Sequence, residues 1–302
     1  MTTVLSARDV GLVARFELLR ALRTWRALAL LVVHLVAHVG VAYVFIEALA
    51  AVETGLAEQL GVPATRWPGP LLDEVRRSEQ IRDLVGGFAG DPALVDALLG
   101  WPLLAVLELW FGLVLGPFLA ATAAAETIAL DVRSRAIRYE ALRTGRTELV
   151  VGRWVGQVAL LAVAQGVALL GVWTLGMLLM VGQSPVALGA GLAVLGGRAL
   201  LLSLPFAALG IACSCWTASA AWARVLALSA AAGSWVLYGI LRLAEDPPWT
   251  WLSDALVPLL PQAWSHGLWT GGGELALSSA VLVCLSLLGL GVATLGLVRR
   301  DL

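Results

Sequence analysis

Long apolar runs are the feature that most constrains this chain. A helix of about 20 residues, at about 1.5 Å per residue, crosses a hydrocarbon core of about 30 Å. Within that core every backbone N–H and C=O must find a partner inside the protein, which favours helices for runs of this length. The sequence therefore predicts an all-α polytopic membrane protein. Its six expected spans are 27–49, 101–125, 154–181, 194–215, 219–241 and 275–298.

Composition agrees with this class of protein. The 302 residues are 60% hydrophobic and 14% charged, whereas soluble domains are about half apolar and about a quarter charged. No signal-peptide pattern with a small-residue cleavage site precedes the first span, so we expect that span to be a retained anchor. Cys213, Cys215 and Cys284 form no CxxC pair and are expected to be reduced, packed thiols.

The chain contains no lysine, and all 20 of its basic residues are arginine. The P-loop that binds nucleotide phosphates needs a lysine, and so does Schiff-base catalysis. The sequence thus excludes a standard Walker-type ATPase and lysine-dependent chemistry, and we expect no cofactor in this chain.

Arginines concentrate before the first span and between the second and third spans, whereas the loop 51–100 holds more acids than arginines. By the positive-inside rule, both termini are expected on the cytoplasmic side of the cell's inner membrane. The loop 51–100 is then an outer loop, and its prolines and glycines predict only short helices.

Residues 8–26 have the pattern of a basic amphipathic helix lying in the membrane surface. Leu12, Phe16 and Leu19 recur at helical spacing among arginines that include Arg15, Arg20 and Arg23. Trp25 stands where an interfacial aromatic residue is expected.

A charged segment, 127–153, interrupts the apolar chain, and its part from 131 to 153 holds six arginines and three acids. One interpretation is a solvated connector that obeys the positive-inside rule. The other is a short docking helix whose arginines, Tyr139 and apolar residues enter a partner's groove. The acids Asp131, Glu140 and Glu148 favour docking, because a purely topological signal needs no acids.

This segment resembles the first cytoplasmic loop of type-2 ABC transporter permeases, the exporter-type membrane subunits. The resemblance rests on Asp131-Val132-Arg133-Ser134, Ile137-Arg138-Tyr139, Arg143-Thr144-Gly145-Arg146 and 148–153. It extends to 204–224 with Gly210 and Ser214, to 256–272, to the basic N-terminal helix and to the terminal VRRDL. The chain departs from the family in lacking the proline of the turn after the short helix and in having a longer outer loop.

The resemblance implies a permease that dimerises, with a second copy or a related chain, and docks ABC ATPase subunits that carry ATP and Mg. An outer-side accessory protein is compatible with the long loop, and the lipid bilayer but no nucleic acid is an expected partner. The implied elbow residues are Arg15, Arg20 and Arg23. The implied docking residues are Asp131, Arg133, Arg135, Ile137, Arg138, Tyr139, Arg143 and Arg146. The expected activity is outward transport of a hydrophobic or amphiphilic substrate.

Four ionisable residues within the predicted spans are candidates for a functional role, namely His34, His38, Glu108 and Arg198. The two histidines are four residues apart and share a helix face. They are packed neutral side chains or line a substrate path, and a metal site is not expected because too few ligands accompany them. Glu108 and Arg198 lie at compatible depths and form a candidate pair.

Two small-residue spacings, Gly112-xxx-Gly116 and Gly152-xxx-Gly156, predict close helix approach. Two other functions remain open beside the exporter permease. One is an intramembrane enzyme built on His34, His38 and Glu108, and the other is an ATP-independent channel or carrier. The absence of catalytic spacing disfavours the enzyme, and the absence of repeat symmetry disfavours the carrier.

Overall fold

The Leu- and Ala-rich composition produces helices throughout the computed structural model, which describes residues 6–63, 65–69, 71, 78–243 and 250–300. Leu and Ala are strong helix formers, and the described residues fold into α-helices and two 3₁₀ helices, Val257–Leu259 and Pro261–Trp264. The helices are α1 Ala7–Leu22, α2 Trp25–Leu60, α3 Glu79–Ala89, α4 Pro92–Gly100, α5 Leu103–Ala124, α6 Ala129–Arg133, α7 Ala136–Arg143, α8 Arg146–Leu179, α9 Pro185–Trp216, α10 Ala220–Leu243, α11 Thr250–Leu256, α12 Ser265–Thr270 and α13 Gly272–Val298.

Six of these helices, α2, α5, α8, α9, α10 and α13, are long and apolar enough to cross a membrane. The all-α polytopic fold predicted from the sequence is therefore confirmed. The helix α9 packs against α5, α8, α10 and α13 and is the most buried of the six. It forms the centre of the bundle.

Several helices extend beyond the predicted spans because local caps, and not hydropathy, set their ends. The helix α2 continues to Leu60 and ends where Gly61 adopts a left-handed φ of 69°. The helix α9 begins at Pro185 instead of 194, since the Ser184 side chain accepts a hydrogen bond from Ala187 N. The helix α8 begins at Arg146 instead of 154, so the charged segment ends inside a spanning helix.

The predicted outer loop contains the end of α2 followed by the short helices α3 and α4, as the sequence indicates. Its residues 64, 70 and 72–77, which include Arg76 and Arg77 of the arginine pattern, lie outside the described residues, as do 244–249 and 301–302.

All three cysteines are free. Cys215 is packed as predicted, but Cys284 is exposed on the surface of α13.

Ser6, before α1, and Val298, at the end of α13, both meet the charged segment at one end of the bundle. Ser6 N donates to Glu148 Oε1 at 3.4 Å, and Arg146 Nη1 donates to Val298 O at 2.8 Å. This end, which carries Ser6, residues 126–148 and Val298, is called the arginine-rich end below.

The basic amphipathic helix α1 carries Arg15, Arg20 and Arg23 and is called the elbow helix below. It lies against α8 at this end. Its apolar stripe of Leu12, Phe16 and Leu19 is exposed, as a helix in a membrane surface requires. Its other face fits onto Gly152 and Gly156, where a Cβ would lie 2.6 Å from Val13 Cβ and 2.9 Å from Ala14 O respectively. The predicted close approach at this glycine pair is confirmed. The other pair is confirmed too, since Cβ atoms at Gly112 and Gly116 would meet Ala199 and Ser203 of α9.

We predict that Gly152→Ala destabilises the protein by about 1–3 kcal/mol, because the new methyl group overpacks the contact with α1. The matched control is Gly166→Ala on the same helix, where a Cβ meets nothing within 4 Å. There the better helix propensity of alanine makes the change neutral or stabilising by up to about 1 kcal/mol. Unfolding in mixed micelles measures both, and equal effects of the two substitutions would contradict the seating of α1 on Gly152.

Candidate functional site

A buried arginine organises the arginine-rich end. Arg153, about two turns into α8, is 1% exposed. Its Nη1 lies 2.5 Å from Asp131 Oδ2 and 3.4 Å from Glu17 Oε2, and its Nη2 lies 2.5 Å from Glu140 Oε2. One guanidinium thus joins the elbow helix α1, the short helices α6 and α7, and the spanning helix α8.

A second arginine and two further groups complete the cluster. Arg20 Nη1 bonds both carboxylate oxygens of Asp131, at 3.0 and 2.9 Å, and its Nη2 lies 3.1 Å from Glu17 Oε2. Gln157 Nε2 donates to Glu17 Oε1 at 3.1 Å, and Arg153 Nη1 donates to Thr127 O at 2.6 Å. The arginine network is defined here as Glu17, Arg20, Asp131, Glu140 and Arg153.

The arginine network joins its helices firmly because Arg153, Glu17 and Asp131 at its centre are shielded from water. Removing an ion from water costs several kcal/mol, and only close opposite charges and hydrogen bonds offset that cost. Sliding α1 or α7 away from α8 would remove one carboxylate partner from the buried Arg153. We infer that α1, α6, α7 and the start of α8 move as one unit.

A hydroxyl of the central helix attaches the same segment from another side. Ser214 is fully buried, and its Oγ accepts from Ile128 N at 3.0 Å and from Ala129 N at 2.8 Å. These are N–H groups at the start of α6, which have no partner within their own helix. Ser214 therefore caps α6 from α9, although α6 and α9 are far apart in the chain.

The predicted docking residues divide into two groups. Asp131, Ile137 and Arg146 face inward. Asp131 belongs to the arginine network, Ile137 is 1% exposed in the core, and Arg146 donates to Val298 O. The other five are exposed and form what we call the docking face: Arg133, Arg135, Arg138, Tyr139 and Arg143.

The backbone at Arg135 separates α6 from α7. Arg135 has a left-handed φ of 62°, and among the described residues it is the one non-glycine with a positive φ. This residue turns the chain between the two short helices, so that Arg133 and Tyr139 both remain at the surface. Tyr139 is 74% exposed.

The acids of the charged segment do not have the role that the sequence suggested. Asp131 and Glu140 pair with Arg153, and Glu148 accepts from Ser6 N. All three thus make contacts within the chain, so their presence is not a reason to expect docking. Arg153 was not predicted as a partner of Asp131 and Glu140, nor Glu17 as a partner of Arg153. Two features of the sequence could have indicated these partners. Glu17 is an acid within a basic amphipathic helix, and Arg153 is followed by Gln157 at the start of an apolar run.

The elbow arginines also differ from one another. Arg15 and Arg23 are exposed, whereas Arg20 is held in the arginine network. The elbow helix therefore has one arginine that joins it to the charged segment and two that face its surroundings.

A second polar cluster lies within the spans. His38 Nδ1 pairs with Glu108 Oε2, and His34 Nε2 lies 3.0 Å from Gln165 Oε1. The two imidazole rings stack with centroids 4.9 Å apart. These contacts join α2, α5 and α8. The cluster is closed to large molecules, because His38 and Glu108 are 1% and 0% exposed.

The predicted pairing of Glu108 with Arg198 is wrong. Arg198 Nη1 instead donates to Leu268 O and Trp269 O, both at 3.1 Å. Compatible depth does not fix the direction in which a side chain leaves its helix, and Glu108 faces α2. Arg198 lies against α12, where it satisfies carbonyl groups near the helix end.

Across the described ranges, no group of three or more His, Cys, Asp or Glu residues is arranged to hold a metal ion. The sequence matches no protein-family model, and no curated protein matches it. We therefore infer function from the geometry of the two clusters and of the docking face.

We predict that Arg153→Gln lowers the free energy of unfolding by about 3–5 kcal/mol, because it leaves buried carboxylates without their partner. The matched control is Arg138→Gln on the docking face, which should change stability by no more than about 0.5 kcal/mol. Chemical unfolding in micelles compares the two. A small effect at Arg153 would contradict the arginine network.

A double-mutant cycle tests the intramembrane cluster. His38→Phe and Glu108→Leu each leave a buried polar partner, so each should destabilise the chain. The double variant should be less destabilised than the sum of the single variants, by about 0.5–3 kcal/mol. Additive effects in the same unfolding assay would show that the two side chains are not coupled.

Proposed function

We propose that this chain is the membrane-spanning permease subunit of an ATP-driven ABC exporter, which dimerises and docks a separate ATPase subunit. The observation that carries the proposal is the docking face, a basic and aromatic surface mounted on the arginine network. Arginine and tyrosine are enriched among the residues that dominate binding energy in protein interfaces. Such a surface needs a rigid support to transmit force, and the network supplies one.

The arginine pattern supports a cytoplasmic position for this surface. Arg15, Arg23 and the docking face all lie at the arginine-rich end, and basic residues favour the cytoplasmic side of a membrane. With this orientation the chain is a cytoplasmic-membrane protein with both termini inside. A soluble ATPase would then meet the docking face, and the absence of lysine assigns ATP and Mg to that partner.

The contacts suggest how force would pass through the chain. A partner that pushes on α7 displaces Glu140, which is paired with Arg153 of α8. The same guanidinium holds Glu17 of α1 and Asp131 of α6, so the elbow and the third span move with the short helices. Rearrangement of the spans would move a hydrophobic or amphiphilic substrate outward. The chain itself performs no bond chemistry in this mechanism.

An ATP-independent carrier is the second candidate, favoured by the His38–Glu108 pair. Ionisable residues inside a membrane often mark ion or proton pathways. This function would give flux in liposomes that contain the purified chain alone, and Glu108→Gln would abolish it. The burial of the same pair weighs against the intramembrane enzyme, because a substrate has no access to His38 or Glu108.

The exporter proposal predicts that a Walker-type ATPase co-purifies in fixed stoichiometry with the tagged chain from its own host membranes. Arg138→Glu with Arg143→Glu should remove it, because both reverse the charge of the docking face. The matched control is Arg66→Glu with Arg82→Glu, which makes the same charge change in the loop 51–100 and should leave the ATPase bound. Mass spectrometry of the eluate measures recovery.

Recovery of the chain without an ATPase, under conditions that keep other transporter complexes intact, would contradict the proposal. Equal loss in the docking-face variant and the control would show that the contact does not depend on this surface. ATP-independent flux in liposomes would instead support the carrier.

A further inference from the structure

A large cleft opens beside the arginine network, about 830 Å³ in volume. This volume lies within the range of about 300–1,000 Å³ typical of small-molecule sites. Its walls come from α1, the start of α2, the end of α5, the connection to α6, and α8. Trp25 at its edge is 76% exposed, so the cleft opens to the surroundings of the protein.

The lining of the cleft changes from polar to apolar along the membrane normal. Its polar part holds Arg20 and Arg224 with three acids, where spans α2, α5 and α10 begin or end. Its apolar part includes Leu30, Leu119 and Leu160, which lie further inside the spans. This gradient matches an amphiphile that stands in the membrane leaflet at the arginine-rich end.

The polar part holds two arginines and three acids, and the arginines are the more exposed of these charges. The Arg224 and Arg20 side chains are 48% and 32% exposed, whereas the acids are mostly covered. Glu126, Asp131 and Glu17 side chains are 16%, 10% and 4% exposed. Asp131 and Glu17 are also held by Arg153. An arginine has five N–H donors, so Arg224 keeps donors beyond its pairing with Glu126.

We propose that this cleft binds one anionic phospholipid from the leaflet at the arginine-rich end. Its phosphate accepts hydrogen bonds from Arg224 and lies beside the partly exposed guanidinium of Arg20, and one acyl chain lies along Leu30, Leu119 and Leu160. Basic pockets between spanning helices are suited to anionic head groups, because arginine bonds phosphate oxygens strongly. The site goes beyond the exporter function and does not depend on it, since no ATPase contributes to it.

Native mass spectrometry of the purified full chain, released from nanodiscs with equal phosphatidylglycerol and phosphatidylcholine, tests the site. The native chain should retain one phosphatidylglycerol in preference to phosphatidylcholine. Ala123→Phe, which places a ring in the apolar part, should reduce retention at least tenfold. Arg224→Gln should remove the preference for the anionic lipid. Arg23→Gln, which makes the same charge change at an exposed residue outside the cleft, should retain it.

Ala29→Phe fills the cleft from the wall formed by α2 and repeats the test if Ala123→Phe does not fold, as judged by elution profile and helical circular dichroism. Inorganic phosphate should not displace the lipid, because the apolar part contributes to binding. Unchanged retention in a folded Phe variant would overturn the site. A preference for the anionic lipid that persists in both Arg224→Gln and Arg23→Gln would also overturn it. Displacement of the lipid by inorganic phosphate would overturn it as well. ATPase co-purification is measured separately, so the two proposals can fail independently.

Discussion

The pairing of Arg153 with three carboxylates is the interaction on which the arginine-rich end depends. A guanidinium that is 1% exposed would be strongly destabilising without partners. Its partners come from α1, α6 and α7, elements that are separated in sequence and have little core of their own. The helices α6 and α7, of five and eight residues, are too short to be stable alone. Their position is therefore set by Arg153, by the cap from Ser214 and by the burial of Ile137 in the core.

This arrangement explains why so apolar a chain contains so charged a segment. Its charges serve two purposes that the sequence does not separate. Asp131, Glu140 and Arg153 form internal contacts, while Arg138 and Arg143 remain at the surface. The inward charges fix the geometry of the outward ones. The same network forms one wall of the cleft, so any molecule bound there contacts the unit that carries the docking face.

Hydropathy was sufficient to predict the six spans, because each apolar run is long and the bilayer permits few alternatives. Helix ends were less predictable, since they depend on single caps such as Ser184 and Gly61. The glycine pair at 152 and 156 correctly indicated a close contact but not its partner, α1. Pairs between distant residues were beyond the sequence. Depth in the membrane suggested Glu108 with Arg198, yet the rotation of each helix about its axis directs Glu108 to His38.

If Arg153 joins the elbow helix and the docking face in one unit, the distance between them is fixed. Electron spin resonance between spin labels at the exposed positions Arg15 and Tyr139, in a chain whose three cysteines are replaced, measures this directly. A single unit should give one narrow distance distribution, which broadens when Arg153→Gln is added and is unchanged by Arg138→Gln. A broad distribution without these changes, or one that Arg153→Gln leaves narrow, would contradict it.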